Sequence, residues 1–325
     1  MNVTRRTLLT TATACFAAGP GIRVFAQEDW PARPIRLVSP YGAGGASDIS
    51  VRILGEWLGR GLGQQFVVEN KPGAGTRLAN EIVAHAAPDG YTFLYAAAPY
   101  ATAEAMYGKL NYDPRKDLQP VAMAVRAPIF LIVNAQTPFR NVRDLIAHGE
   151  SRPEGLTFAS PGAGSQPHLA GELLFRDAGV KGLNVHFRGD ATAYLELLAG
   201  RVDATFPAIS TALPHIEAGK LRVLGVASAA RSPIYPQAPT LPEQGFSNVV
   251  AGGWYGFMAP AATPRRIVDR MQAEAIRALA DPEVQKKLIA QGLEADGGSA
   301  ARFGQFIDDE TRKWSEVIRK IGLKG

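Results

Sequence analysis

Ser165 and His168 stand three residues apart in Gly162-Ala163-Gly164-Ser165-Gln166-Pro167-His168. A hydroxyl beside an imidazole is the minimal nucleophile and base of an acyl-transfer site. The surroundings argue against that chemistry. A nucleophile elbow would need glycines where Ala163 and Pro167 stand, and no matching acid accompanies the imidazole. Asp48 and Asp190 have the right type for acid–base work, but no spacing pairs them. His85, His148, His168, His186 and His215 include no two at i, i+4, and the single Cys is Cys15, so no metal-ligand pattern forms. The expectation is a chain without catalytic residues, metal or cofactor, with a Ser165/His168 hydrolase as the rival reading.

A different chemistry recurs three times. Gly42-Ala43-Gly44, Gly73-Ala74-Gly75 and Gly162-Ala163-Gly164 each follow a short apolar run. Glycine lets backbone N–H groups approach whatever lies above a strand end. Two of these turns open into helices that begin with a hydroxyl, Ser47 and Ser165, and a helix N-terminus with free N–H groups takes a carboxylate or phosphate. The dinucleotide fingerprint fails, because its sixth position is Ser47, Leu78 or Pro167, and no lysine-bearing phosphate loop occurs. After Asn70-Lys71-Pro72 the turn at Gly73 reads as a structural corner.

The elements that must position these turns follow from periodicity. Strand runs are Ile35 to Ser39, Phe66 to Glu69, Tyr91 to Ala96, Ile129 to Asn134, Thr157 to Ser160, Asn184 to Phe187, Ala204 to Pro207, Arg222 to Ala227 and Gly256 to Ala259. Amphipathic stretches alternate with them, the pattern of a parallel sheet flanked by helices. Ser47 or Asp48 is expected to cap the first helix, and three consecutive helices without a strand close the chain after Ala259. The 325 residues, 46% of them hydrophobic, suit two domains. With no clear linker between residues 27 and 325, an α/β fold of two interleaved domains around a cleft fits best. Trp57, Trp254 and Trp314 fall at core positions.

Charge shows where the chain is sent. Arg5-Arg6, an apolar run from Leu8 to Ala18 and Val24-Phe25-Ala26 have the order of a secretory signal, with cleavage expected after Ala26. The arginine pair resembles a twin-arginine signal and also suits an ordinary one. Of 35 basic side chains, Arg5, Arg6 and Arg23 leave with that segment, so 32 remain against 30 acidic ones. The mature chain is nearly neutral and Cys-free, which suits a periplasm. Its basic pairs, Arg265-Arg266 and Lys286-Lys287, lie beside Asp269 and Glu283 without interleaved aromatics, so nucleic acid is excluded as a partner.

Seven ordered motifs carry a family resemblance. They are Pro40-Tyr41-Gly42-Ala43-Gly44-Gly45-Ala46-Ser47-Asp48, Val68-Glu69-Asn70-Lys71-Pro72-Gly73-Ala74-Gly75, Pro88-Asp89-Gly90-Tyr91-Thr92, Tyr112-Asp113-Pro114-Arg115-Lys116-Asp117-Leu118, Ala218-Gly219-Lys220-Leu221-Arg222, Pro239-Thr240-Leu241-Pro242-Glu243-Gln244-Gly245 and Trp254-Tyr255-Gly256-Phe257-Met258-Ala259-Pro260. Together they resemble the Bug-type, or TctC-like, receptors of tripartite tricarboxylate transporters over nearly the whole mature chain. The resemblance implies a periplasmic binding protein fold of type II, with residues 1–26 as signal peptide, 27–127 plus 229–325 as one domain and 128–228 as the other. It implies a monomeric receptor that traps a small carboxylate in the interdomain cleft and delivers it to the membrane components of the transporter. A receptor with no transport partner that passes its ligand state to a sensor kinase is a further alternative.

Carried onto this chain, the resemblance places Tyr41, Gly44, Gly45, Ala46, Ser47 and Asp48 on one wall of the cleft, with Ala98 and Tyr100 beside them. Ser160, Gly162, Gly164, Ser165, His168, Phe187 and Pro207 form the other wall, with Gly164 and Ser165 nearest the anion. Two departures stand on its rim. His186-Phe187-Arg188-Gly189 replaces a frequent Pro-Tyr-Lys-Gly turn, and Pro207 occupies a position where many members carry an acid. Without that acid a ligand ammonium loses its partner, which favours a non-amino carboxylate, an aromatic one given Tyr41, Tyr100 and Phe187.

Overall fold

A computed structural model of the chain describes residues 30–162, 164–187 and 190–324. The expected signal peptide, Cys15, Ala163 and the Arg188-Gly189 turn lie outside the described residues. The chain opens with strand β1 (Ile35–Ser39), helix α1 (Ala46–Leu62), β2 (Phe66–Asn70), a single 3₁₀ turn (Ala74–Thr76), α2 (Arg77–Ala84), β3 (Thr92–Ala97), α3 (Pro99–Tyr107) and β4 (Leu118–Pro128). It continues through β5 (Phe130–Asn134), α4 (Val142–Glu150), β6 (Leu156–Ser160), α5 (Gln166–Asp177), β7 (Gly182–His186), α6 (Asp190–Leu198), β8 (Ala204–Thr205), α7 (Ile209–Glu217) and β9 (Leu221–Val226). It ends with β10 (Gly252–Pro260), α8 (Arg265–Ala280), α9 (Pro282–Ile289), β11 (Glu294–Ser299) and α10 (Ala300–Ile321).

Two sheets divide these strands. One has the order β11-β4-β10-β3-β1-β2 and the other β7-β6-β8-β5-β9. The chain passes from the first to the second between Pro128 and Phe130, and returns through residues 227–251. Both sheets are mixed rather than wholly parallel. β1 pairs in parallel with β2 and β3, but β10 runs antiparallel to β3 and β4. β11 is antiparallel to β4, and in the second sheet β5 is antiparallel to β8 and β9, none of which the alternation of strands and helices discloses.

Two strands carry no sequence signal. β4 contains Pro120 and Pro128, residues that demote a run to an edge or a bulge. The sheet accepts Pro120 beside a register shift opposite Phe257 and Met258. β11 is Glu-Ala-Asp-Gly-Gly-Ser, too polar for any period, and exists because β4 offers it an edge across a bulge between Ala295 and Gly298. It breaks the expected run of three C-terminal helices.

Buried side chains cover both faces of each sheet. Leu37, Leu54, Phe93, Phe257 and Met271 fill one side of the first, and Leu94, Tyr100, Trp254 and Phe303 the other. Phe158, Leu169, Leu174 and Phe175 pack one side of the second, with Phe130, Tyr194, Leu197 and Ile209 on its far side. Each such Leu or Phe contributes about 1.5–3 kcal/mol when fully buried. α10 joins the lobes: Phe303 and Ile307 belong to the first lobe's cluster, whereas Trp314, Val317 and Ile318 are buried with Leu169 and Phe175. Trp57 is only half-buried, its indole donating to Asp281 Oδ2 at 3.2 Å, and so departs from the core position expected of it. Among the described residues no helix is long and apolar enough to cross a membrane.

Candidate functional site

Between the lobes lies a cleft of about 550 Å³. Its first-lobe wall includes Tyr41, Thr76, Ala98, Thr102, Met106, Tyr107, Trp254 and Tyr255. Gly162, Gly164, Ser165, Gln166 and Ala208 line it from the second lobe. Among the described residues that line it there is no Asp, Glu, Lys, Arg or His. Tyr41, Ala98, Gly162, Gly164 and Ser165 are thus brought together here, while the other expected site residues lie elsewhere.

Three helix N-termini open on this cleft. α3 is capped by Ala98, α5 by Ser165 and α7 by Ala208, and all three cap residues line it. None of the three helices has an acidic residue in its first turn. The positive dipole ends and the remaining first-turn N–H groups therefore face the cleft with no carboxylate among its described lining, although Ser165 already accepts from His168 N–H on α5 and Pro99 and Pro167 have no N–H to offer. On α3, Pro99, Thr102 and Met106 share one face by helical spacing and line the cleft. Tyr100 points the other way, where its buried hydroxyl donates to the Pro114 carbonyl.

The glycine turn before α1 does something else. Gly45, not Ser47 or Asp48, is the cap residue of α1, and no side chain bonds to it there. Ser47 Oγ is buried 3.1 Å from Ser39 Oγ on β1. The Asp48 carboxylate accepts from Gly44 N–H at 3.0 Å, Arg52 Nε at 2.9 Å and Asn70 Nδ2 at 3.0 Å. Asn70 also donates to the Tyr41 carbonyl at 2.9 Å. Asp48 thus turns its carboxylate back onto the loop at Gly44, and through Asn70 it is linked to the Tyr41 carbonyl.

The bond from Arg52 is the main reason that the Asp48 pKa falls to about 2 from the ordinary 3.8. With the folded pKa depressed, the stabilisation is full above about pH 4 and is lost as pH falls towards 2, a swing of about 2 kcal/mol. Thermal melts of Asp48→Asn across pH 2 to 6 should lack this acid limb; a limb as deep as in the unsubstituted chain would assign it to other carboxylates.

The second-lobe loop is held as tightly. Ser165 Oγ donates to the Gly162 carbonyl at 2.7 Å and accepts from His168 N–H at 3.4 Å. Gly164 N–H donates to His168 Nδ1 at 3.0 Å. The imidazole is 5% exposed and lies outside the cleft lining, a peg under the loop. Because Nδ1 is filled and the hydroxyl serves a carbonyl, the pair has no nucleophile–base geometry. Ser160 lies beneath, its hydroxyl 2.9 Å from Asn184 Oδ1 and 3.0 Å from His186 Nδ1. Burial, and then His168, hold His186 below the usual histidine range. Phe187 packs beside Tyr194 and Leu197, and Pro207 is buried with its carbonyl accepting from Phe130 N–H at 2.9 Å.

Several lining residues carried no usable sequence signal. The corner after Gly73 proves to be cleft wall, since Gly75 and Thr76 line it. Trp254 is buried as expected of a core residue, yet it too forms part of the wall. Thr76 Oγ1, Gln166 Oε1 and Trp254 Nε1 are buried without a hydrogen-bond partner among the described residues. The Tyr255 pKa is pushed up to about 12 by burial, and burial raises Tyr41 as well, so both phenols remain neutral donors.

The family model for the tripartite tricarboxylate transporter family receptor, TctC, matches residues 50–323. Protein BugT of Bordetella pertussis is 34% identical over 327 residues, covering 100% of this chain and 99% of its own. The structure of the periplasmic binding protein BugD is 32% identical with a TM-score of 0.74, covering 91% of this chain and 99% of its own. An R. palustris protein with adipate is 32% identical with a TM-score of 0.78, and the coverage is again 91% and 99%. With that fold, and with a Ser–His pair that lacks catalytic geometry, the chain belongs to the TctC family of tripartite tricarboxylate transporter receptors, which are Bug-type solute-binding proteins of the periplasmic binding protein class and not enzymes.

Proposed function

We propose that this protein is a periplasmic receptor that captures a small carboxylate between its lobes and delivers it to the membrane components of a tripartite tricarboxylate-type transporter. The observation that carries the reading is the convergence of the α3, α5 and α7 N-termini on a cleft whose described lining holds no charged side chain. A carboxylate is held there by the positive helix ends, the N–H groups they leave open and neutral hydroxyls, as anions are at helix N-termini. A ligand ammonium would be desolvated with no acid to pair it, which disfavours amino acids. The adipate seen with the R. palustris neighbour is of the favoured class. Tyr41, Tyr107, Trp254 and Tyr255 supply flat apolar surface for the remainder of the ligand.

The proposed lobes are residues 27–127 plus 229–325 and residues 128–228, with α10 spanning both, in a monomer exported by residues 1–26. Ligand bound to both walls stabilises the closed arrangement, and the closed arrangement is what docks. The test is a thermal-shift panel of mono-, di- and aromatic carboxylates on the mature chain, followed by small-angle scattering with the best binder at saturation. A raised melting temperature and a smaller radius of gyration are expected. Amino acids that bind while every plain carboxylate fails would remove the ligand class, and superimposable scattering curves would remove closure.

A further inference from the structure

We propose that Thr76 is a ligand contact, its hydroxyl donating from the first lobe to an oxygen of the bound carboxylate; the proposal rests on the carboxylate reading above. Ala74, Gly75 and Thr76 have φ of +46°, +60° and +75° in succession. For a β-branched residue the left-handed region is an outlier that glycine would occupy without strain. Such strain persists where the surroundings impose it and clusters at ligand-holding sites. Here the surroundings do impose it. Arg77 Nε donates to the Ala74 carbonyl at 2.7 Å, and its guanidinium lies 3.6 Å over the Tyr107 ring. The Tyr107 hydroxyl seats against Gly75 so closely that a Cβ there would stand 2.7 Å away.

The braced turn places a hydroxyl that no group among the described residues satisfies. Thr76 is 4% exposed, and Oγ1 has no hydrogen-bond partner among the described residues. A buried hydroxyl without a partner is unfavourable, as is the backbone that carries it. Both costs are explained if the hydroxyl meets a ligand, because Thr76 lines the cleft together with Tyr41, Trp254 and, from the other lobe, Ser165. It complements the second lobe, where the Ser165 hydroxyl is already given to Gly162.

The test compares Thr76→Gly and Thr76→Ser, using whichever of succinate, malate, adipate and benzoate binds the unsubstituted mature chain best by calorimetry. Glycine relieves the backbone, so the melting temperature should hold or rise while the dissociation constant increases about ten- to a hundredfold, the loss of one hydrogen bond to a charged acceptor. Serine keeps the donor and should stay within about threefold of threonine on the same scale. Unchanged binding in Thr76→Gly would overturn the proposal, as would an equal loss in Thr76→Ser, which would make the effect one of shape. A panel in which no carboxylate binds the unsubstituted chain would overturn the carboxylate reading and this proposal together.

Discussion

Ala208→Asp is expected to abolish carboxylate binding without weakening the fold. Ala208 precedes α7 with φ −65° and ψ 138°, the extended geometry of a helix cap, and no side chain caps the helix there. An aspartate in that geometry accepts the first N–H groups and adds about 0.5–2 kcal/mol over alanine. The same carboxylate then stands in the cleft wall, beside the place proposed for the anion. Two like charges about 5 Å apart repel by about 3 kcal/mol at the effective dielectric of such sites, and the N–H groups that would have served the ligand are taken. Affinity should fall at least about a hundredfold. Ala208→Asn is the matched control, a cap of the same size without charge: it takes the same N–H groups but adds no repulsion, so its loss should be clearly smaller than that of Ala208→Asp. Calorimetry and thermal melts on the three proteins decide it: full carboxylate affinity in Ala208→Asp would mean that α7 does not face the anion.

Gly171→Ala should lower both stability and affinity. In an exposed helix the exchange would stabilise by about 1 kcal/mol. α5, however, lies directly on β6, and a Cβ on Gly171 would stand 2.2, 2.5 and 2.8 Å from three atoms of the buried Phe158 ring. An aromatic ring in a filled core has nowhere to go, so the helix must lift, at a net cost of about 1–3 kcal/mol. Lifting α5 also moves its N-terminal loop, since Ser165 and Gly164 are tied to the helix through His168. A tenfold loss of affinity is expected, on the scale of about 1.4 kcal/mol per decade. Urea unfolding gives the first quantity and calorimetry the second. A higher unfolding midpoint in the variant would show that the close contact of α5 with Phe158 is relaxed in solution.

β1 is legible because its Ile-Arg-Leu-Val-Ser run is buried between helices on both faces, so the pressure for apolar residues acts on the strand itself. β11 is not, because what makes it a strand is an edge of β4 more than a hundred residues away. The same division separates Ser165 from Thr76. Ser165 follows a Gly-Ala-Gly turn and begins an amphipathic helix, both local facts that mark an N-terminus. Thr76 follows an equivalent turn, yet its importance arises from Tyr107, Arg77 and the opposite lobe, none of which its neighbours in the chain reveal.

Asp48 shows how the same local signal can mislead. A hydroxyl and an acid after a glycine turn read alike whether or not they cap the helix, and only the positions of Gly44, Arg52 and Asn70 around the carboxylate show that Asp48 is given to the loop and to β2 and not to the cap. The sequence by itself determined the family, the alternating α/β elements and the absence of a paired catalytic set, because periodicity, glycine turns and ordered motifs are properties of neighbours along the chain. The tertiary structure alone decided which helix ends meet, that the described lining of their cleft carries no charge, and that α10 ties one lobe to the other. Those are distances between residues remote in sequence, and electrostatics and packing act on distance.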